Sequence, residues 1–457
     1  VSAHRGLTLT SSVVGAVIVA LDGTVLTVAQ PTLGRDLHAS VAEVQWTSTG
    51  YLIAVASLLV FAGRVGDRYG HQRVFAVGML GFGAASAGIG MAAGIGWVIG
   101  LRVVQGVFGA LLQPATLGML RAAYPPDRLG MPIALRTSAI GVAAAAGPLV
   151  GGALVTPFGW RSVFFVNVVP ALAMGGLALA VRGPERTPPS GRRLDLPGAC
   201  LLAVALACLV HTLVGIPDGG WTTVSTLGLI AAAVAGTVFV HHERRTPSPL
   251  LPPDVLGSAA VGAALGILVA ASASMLGTLF VSSYFLQDVL GLTPLETALR
   301  ALPGPVMMVL AAPASAVLMR RYGPRRTTAC AMTLLALGVL VLSRLGEGSG
   351  ALSIGTGFLL LGAGFGTVMV AATAVVVRQV AAGAAGVAGG LQQTAMNVGP
   401  TLGVAAATTL MTYTRVGLAP TLTVLAALAA AGALPALALP GRSGSRSGAP
   451  EESLTAS

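Results

Sequence analysis

The sequence predicts an all-α membrane protein: fourteen transmembrane helices, arranged as two six-helix halves with two further helices between them. Three observations predict it. The chain of 457 residues is 54% hydrophobic and only 9% charged, whereas a soluble chain carries about 25% charge. Its apolar residues fall into fourteen segments of the roughly 20 residues that a span requires. Two unrelated patterns recur at nearly one offset. Arg68-Tyr69-Gly70 returns 253 residues later as Arg321-Tyr322-Gly323, and Gly147-Pro148-x-x-Gly151 returns 252 residues later as Gly399-Pro400-x-x-Gly403.

In order, the spans are expected near 11–34, 47–65, 74–94, 97–120, 132–156, 161–181, 196–215, 223–242, 257–286, 297–319, 327–344, 350–376, 384–412 and 417–440. Both copies of each repeated pattern face the same side, so the duplication is parallel. The halves are 1–182 and 257–440, each of six spans, and 183–256 carries the two inserted helices. The segment 441–457 is polar, rich in Ser and Gly, and expected to be disordered. The 62 glycines suit close helix packing in lipid. The first apolar run is too long for a cleavable signal and contains Asp22.

All 26 basic residues are arginine. Without lysine there is no phosphate-binding P-loop and no Schiff-base chemistry. In a soluble chain a net charge of +11 would point to nucleic acid; here the arginines sit in short loops between spans, so no nucleic-acid partner is expected. An even span count puts both termini on one side. Nineteen arginines fall on that side and five on the other, while Arg102 and Arg136 lie within spans. The bias predicts cytoplasmic termini. Trp46, Trp97, Trp160 and Trp221 all fall at the other ends of spans, where indoles favour the interface. Cys200 and Cys208 share one helix about 12 Å apart by helical rise, too far to bridge. With Cys330 they form no metal pattern, and none is expected at His241-His242-Glu243.

Asp22, in Leu21-Asp22-Gly23-Thr24-Val25, is the one carboxylate placed deep in the hydrocarbon. An acid there is costly and marks a functional site, or else holds a buried hydrogen bond. Arg102 is a permanent cation in the fourth span. It braces a helix or pairs with a carboxylate, for which Asp22 is the candidate. The loop Gly63-Arg64-Val65-Gly66-Asp67-Arg68-Tyr69-Gly70-His71-Gln72-Arg73 joins spans two and three. Asp67 there can pair with an arginine or cap a helix, and a latch broken in one conformation biases a two-state equilibrium. Gly147-Pro148-Leu149-Val150-Gly151-Gly152 places a proline kink beside glycines that let helices touch. Gln393, Asn397 and Thr401 form a polar stripe on span thirteen, for a central cavity or for interhelical bonds.

Gly63, Asp67, Arg68 and Gly70 resemble the loop signature of the major facilitator superfamily, with Arg73 replacing the basic residues that the family carries at His71 and Gln72. Leu21 to Pro31 resembles the first-helix motif of its fourteen-helix drug:proton antiporters. Gln45-Trp46, Tyr51, Arg102-x-x-Gln105-Gly106, Gly147 to Gly152 and Phe164 to Pro170 follow in the family's order.

The resemblance implies a major facilitator fold with a substrate site between the halves. It also implies a non-enzymatic, proton-coupled exporter of drug-like, antibiotic or other toxic small molecules. Asp22 and Arg102 would serve proton transfer. The Gly147, Pro148, Gly151 and Gly152 motif would mark an exporter and line the contact between halves. Thr24, Gln105, Asn167, Gln393 and Asn397 are the substrate-binding candidates. The alternative is a transporter of an ordinary metabolite. No cofactor or metal is expected; the proton gradient supplies the energy. The partners are substrate, protons and the lipid of the plasma membrane, around a monomer.

Overall fold

The computed structural model describes residues 2–125, 128–180, 194–247, 249–251, 255, 257–292, 294–380, 384–413 and 418–441. The expected disordered tail lies outside these residues apart from Gly441. So do residues 181–193 and several of the arginines counted above. Among the described residues there are fourteen α-helices and no strand.

The first half contains α1 (Ser2–Asp36), α2 (Val41–Tyr69), α3 (His71–Gly90), α4 (Ile95–Ala123), α5 (Gly130–Phe158) and α6 (Ser162–Ala180). The inserted pair is α7 (Leu196–Gly219) and α8 (Thr223–Glu243). Next come α9 (Ala259–Tyr284), the short α10 (Pro294–Ala301), α11 (Pro303–Ser343), α12 (Ala351–Arg378), α13 (Ala385–Tyr413) and α14 (Leu418–Ala431). Eleven of the helical segments are long and apolar enough to cross a membrane, or twelve when α5 is taken as one bent span. The 41 residues of α11 would reach about 60 Å, twice the bilayer core. They turn at Gly323 into two crossings. α13 carries Gln392, Gln393 and Asn397 and is more polar, yet its 29 residues are long enough to span. Among the described residues a helical segment thus stands at each of the fourteen expected positions. One boundary differs: the tenth span begins at Pro303, because the charged stretch around Glu296 and Arg300 forms α10 as a separate short helix.

The duplication has a structural counterpart. Gly70 (φ 94°) turns the chain between α2 and α3, and Gly323 (φ 82°) does so within α11. Both positions need the left-handed region that glycine alone enters freely. The preceding arginine lies 5.4 Å over the following tyrosine ring in each copy. In one half α1 packs on α5; in the other α9 packs on α13. Between halves α2 packs on α13 and α5 on α11, again a symmetric exchange. The α7–α8 pair rests on α2 and α13 through α7.

Lipid tails are as apolar as leucine, so close packing, not water exclusion, holds such helices together. The tightest packing runs through glycines. A methyl group on Gly386 would overlap the Gly63 carbonyl, and one on Gly390 would lie 2.5 Å from the Leu59 carbonyl. An apolar cluster extends this contact at the arginine-rich end. There Leu120, Leu129 and Ile133 meet Ala316, Met319 and Val377.

The tryptophans divide. Trp46, Trp97 and Trp221 are exposed, as interfacial anchors should be, but Trp160 is 1% exposed. It plugs the end of the first half, donating from Nε1 to Asp36 at 2.8 Å while Arg161 pairs with the same carboxylate at 2.6 Å. The three cysteines are free.

Candidate functional site

Asp22 lies in α1, and α4 and α6 complete its surroundings. Its side chain and that of Arg102 are 2% and 1% exposed. Arg102 Nη1 donates to Asp22 Oδ2 at 2.6 Å. Gln105, one turn further along α4, donates to Asp22 Oδ1 at 3.2 Å, and Asn167 of α6 donates to the same oxygen at 3.0 Å. The carboxylate therefore has three donors, one of them charged. The guanidinium is equally occupied. It donates to Gln105 Oε1 and, through Nε, to the Thr47 carbonyl at 3.0 Å, and it lies 4.3 Å over the Tyr51 ring. Ser86 accepts the remaining Gln105 donor at 2.7 Å.

A buried ion pair survives only when its geometry and its remaining hydrogen bonds are good. Here both carboxylate oxygens are engaged, as are Nε and Nη1 of the guanidinium. Arg102 stands seven residues into α4, about 10 Å from its start, and Asn167 five into α6. The cluster thus lies toward the end of the span opposite the arginine-rich loops. By the repeat offset Asp22 corresponds to Ser274 and Arg102 to Ile354, so the second half has no ionisable counterpart. Ser274 donates to the Leu425 carbonyl instead.

These contacts change the assignment of two candidates. Gln105 and Asn167 were expected to meet substrate, but in this conformation both are buried and their amides serve Asp22. Thr24 donates back to Ala20 and Leu21 of its own helix. Gln393 reaches across to Gln113 and joins α13 to α4, whereas Asn397 returns to the Gln393 carbonyl. Gly23 and Thr27 are the exposed positions of α1 near Asp22. Sequence reasoning missed Ser86 and Gln113, which carry no pattern of their own, and gave Tyr51 no role.

The motif of α5 also makes a different contact from the one expected. A methyl group on Gly147 would overlap Thr24, and Gly151 faces Val25 and Val28. Both meet α1 of their own half, not the opposite half, while nothing lies within 4 Å of Gly152. Gly399 and Gly403 meet α9 in the same way. α5 bends by 42° between Gly147 and Leu149, where Pro148 has no N–H to donate.

The loop between α2 and α3 joins the halves. Asp67 accepts from the backbone N–H groups of Gly386 at 2.7 Å and Val387 at 3.1 Å. It thereby caps the first turn of α13, where the helix dipole favours a negative charge. His71 takes the place of a basic partner, 3.3 Å from the same carboxylate. Arg73 is exposed. Arg64 donates to the Pro249 carbonyl, tying in the segment after α8. That segment is fixed by Glu243, which accepts from the amides of Leu250 and Leu251. His242 bonds Asp195 at 2.9 Å, and no metal-type cluster occurs among the described residues. At the other end an open cleft of about 680 Å³ is lined by Gln30, Arg35, His38 and Gln45.

Two related sets of helices, the first enclosing a buried ion pair, form the frame of a membrane carrier. The family model described as Major Facilitator Superfamily matches residues 13–404. The chain belongs to that superfamily. It is a multi-pass membrane transporter of small molecules and not an enzyme. The chain is 41% identical over 414 residues to the tetracenomycin C resistance and export protein of Streptomyces glaucescens, covering 90% of this chain and 76% of that one. It is 33% identical over 402 residues to the puromycin resistance protein of Streptomyces alboniger, covering 86% and 79%. The crystal structure of the human organic anion transporter MFSD10 superposes with a TM-score of 0.69 over 94% of this chain and 99% of that one. At 15% identity that likeness shows the fold alone.

Proposed function

We propose that this transporter exports antibiotic or other drug-like toxic molecules in exchange for protons, by alternating access across the plasma membrane. Both termini are cytoplasmic in this reading, following the arginine bias, and the chain works as a monomer. The observation that carries it is Asp22. Among the described residues it is the one carboxylate buried inside a span, and its partner Arg102 is a cation that cannot lose its proton. Protonation of Asp22 cancels its charge attraction for Arg102 and weakens it as an acceptor for Gln105 and Asn167. A proton thereby changes the bonds between α1, α4 and α6. That coupling gives proton binding a differential effect on two conformations, which is the requirement for driving one with the other. Relatives named for export and resistance support a drug-like cargo moving outward.

In inside-out vesicles the luminal side is acidic. An imposed gradient then drives cargo into the lumen as protons leave. Uptake of antibiotics and dyes should collapse when a proton–potassium exchanger dissipates the gradient. Accumulation indifferent to that treatment contradicts the proposal.

A further inference from the structure

Among the described residues two arginines are buried within spans, and only one of them has a counter-ion. Arg102 is held by Asp22, Gln105, Thr47 and Tyr51. Arg136 is as deeply buried, at 2% exposure, six residues into α5. Its Nε finds no acceptor, and no carboxylate among the described residues lies within 4 Å of it. A guanidinium is charged at any pH of interest, and a charge in the hydrocarbon is costly unless paired. The described residues supply no anion for it.

Its position shows where one would come from. Ile133 and Ala134, within one turn of Arg136, belong to the apolar cluster that closes the arginine-rich end against Ala312, Ala316 and Met319. Ser138 donates to the Val309 carbonyl of α11 at 2.9 Å, another bond between halves. Separation of the halves at this end uncovers the α5 turn that carries Arg136.

We infer that Arg136 is an anion-recognition site for the cargo: it receives a carboxylate of an organic acid entering from the arginine-rich side. The inference rests on the transporter reading and names the cargo class. Arg136 offers a planar fork of donors that matches a carboxylate bidentately. An amide of the same shape offers no charge to neutralise it.

The test uses the full chain in lipid nanodiscs and a panel of benzoates, naphthoates and anthracene carboxylates, each beside its carboxamide. At least one carboxylate should bind wild type ten-fold or more tightly than its amide. Arg136→Gln should abolish that preference and Arg136→Lys should restore part of it. Without ligand, Arg136→Gln should melt at or above wild type, because it removes an unpaired buried charge. A lower melting temperature, or failure to fold with Arg136→Lys intact, would make Arg136 a structural residue and overturn the inference. So would a panel in which no carboxylate outbinds its amide, or a preference that survives in Arg136→Gln. Proton-driven export of an uncharged compound by wild type would uphold the exporter reading even where the carboxylate preference fails.

Discussion

Asp67 of α2 caps α13: its two carboxylate oxygens accept from Gly386 at 2.7 Å and Val387 at 3.1 Å, across 319 residues of sequence. One side chain thus links the two halves at the arginine-rich end. Replacing a capping residue by alanine costs about 1 kcal/mol, roughly a five-fold change in a two-state equilibrium. Asp67→Ala should lower the population closed at that end. Cysteines at Ser138 and Val309, in contact in this conformation, report it: their cross-linking should fall in Asp67→Ala. Undiminished cross-linking would show that the cap does not hold the halves.

Glycine packing makes a second, steric prediction. A methyl group on Gly386 meets the Gly63 backbone, which cannot rotate away, whereas nothing lies within 4 Å of Gly176 on α6. Gly386→Ala should therefore increase thiol labelling of a cysteine at Ser138 from the arginine-rich side, and Gly176→Ala should not. Equal labelling in both would contradict the observed contact between α2 and α13.

The ion pair should be worth more intact than either member alone. Removing one partner of a buried pair costs about 3–5 kcal/mol, because the other charge is left stranded. Arg102→Ala should lower the melting temperature in nanodiscs strongly. Asp22→Asn with Arg102→Gln should cost less than the sum of the single changes, by about 0.5–3 kcal/mol. Additive costs would mean that the two side chains do not interact.

Much of this arrangement was legible in the sequence, because composition and period act over whole helices. Spans and the Gly70 and Gly323 turns follow from apolar length and from a residue type that tolerates positive φ. Asp22 with Arg102 was legible because two opposite charges in hydrocarbon have few alternatives. The bonds of Gln105 and Asn167 to Asp22 were not legible, because an amide signals a need for partners without saying which. Whether it meets substrate or a carboxylate depends on how α4 and α6 rotate about α1. Trp160 fails the interfacial rule because Asp36, distant in sequence, offers its buried indole an acceptor. The Gly147 and Gly151 face was correctly expected to touch a helix, but small residues do not specify which one.

Proton coupling through Asp22 is the central claim, and one measurement reaches it directly. Purified protein in proteoliposomes containing a pH-sensitive dye is given a substrate gradient without any imposed pH gradient. Wild type should move protons against the substrate flow. Asp22→Asn, which keeps the size and hydrogen-bonding shape of the side chain but carries no titratable proton, should still bind substrate yet move no protons. Substrate-driven proton movement at the wild-type rate in Asp22→Asn would contradict the account.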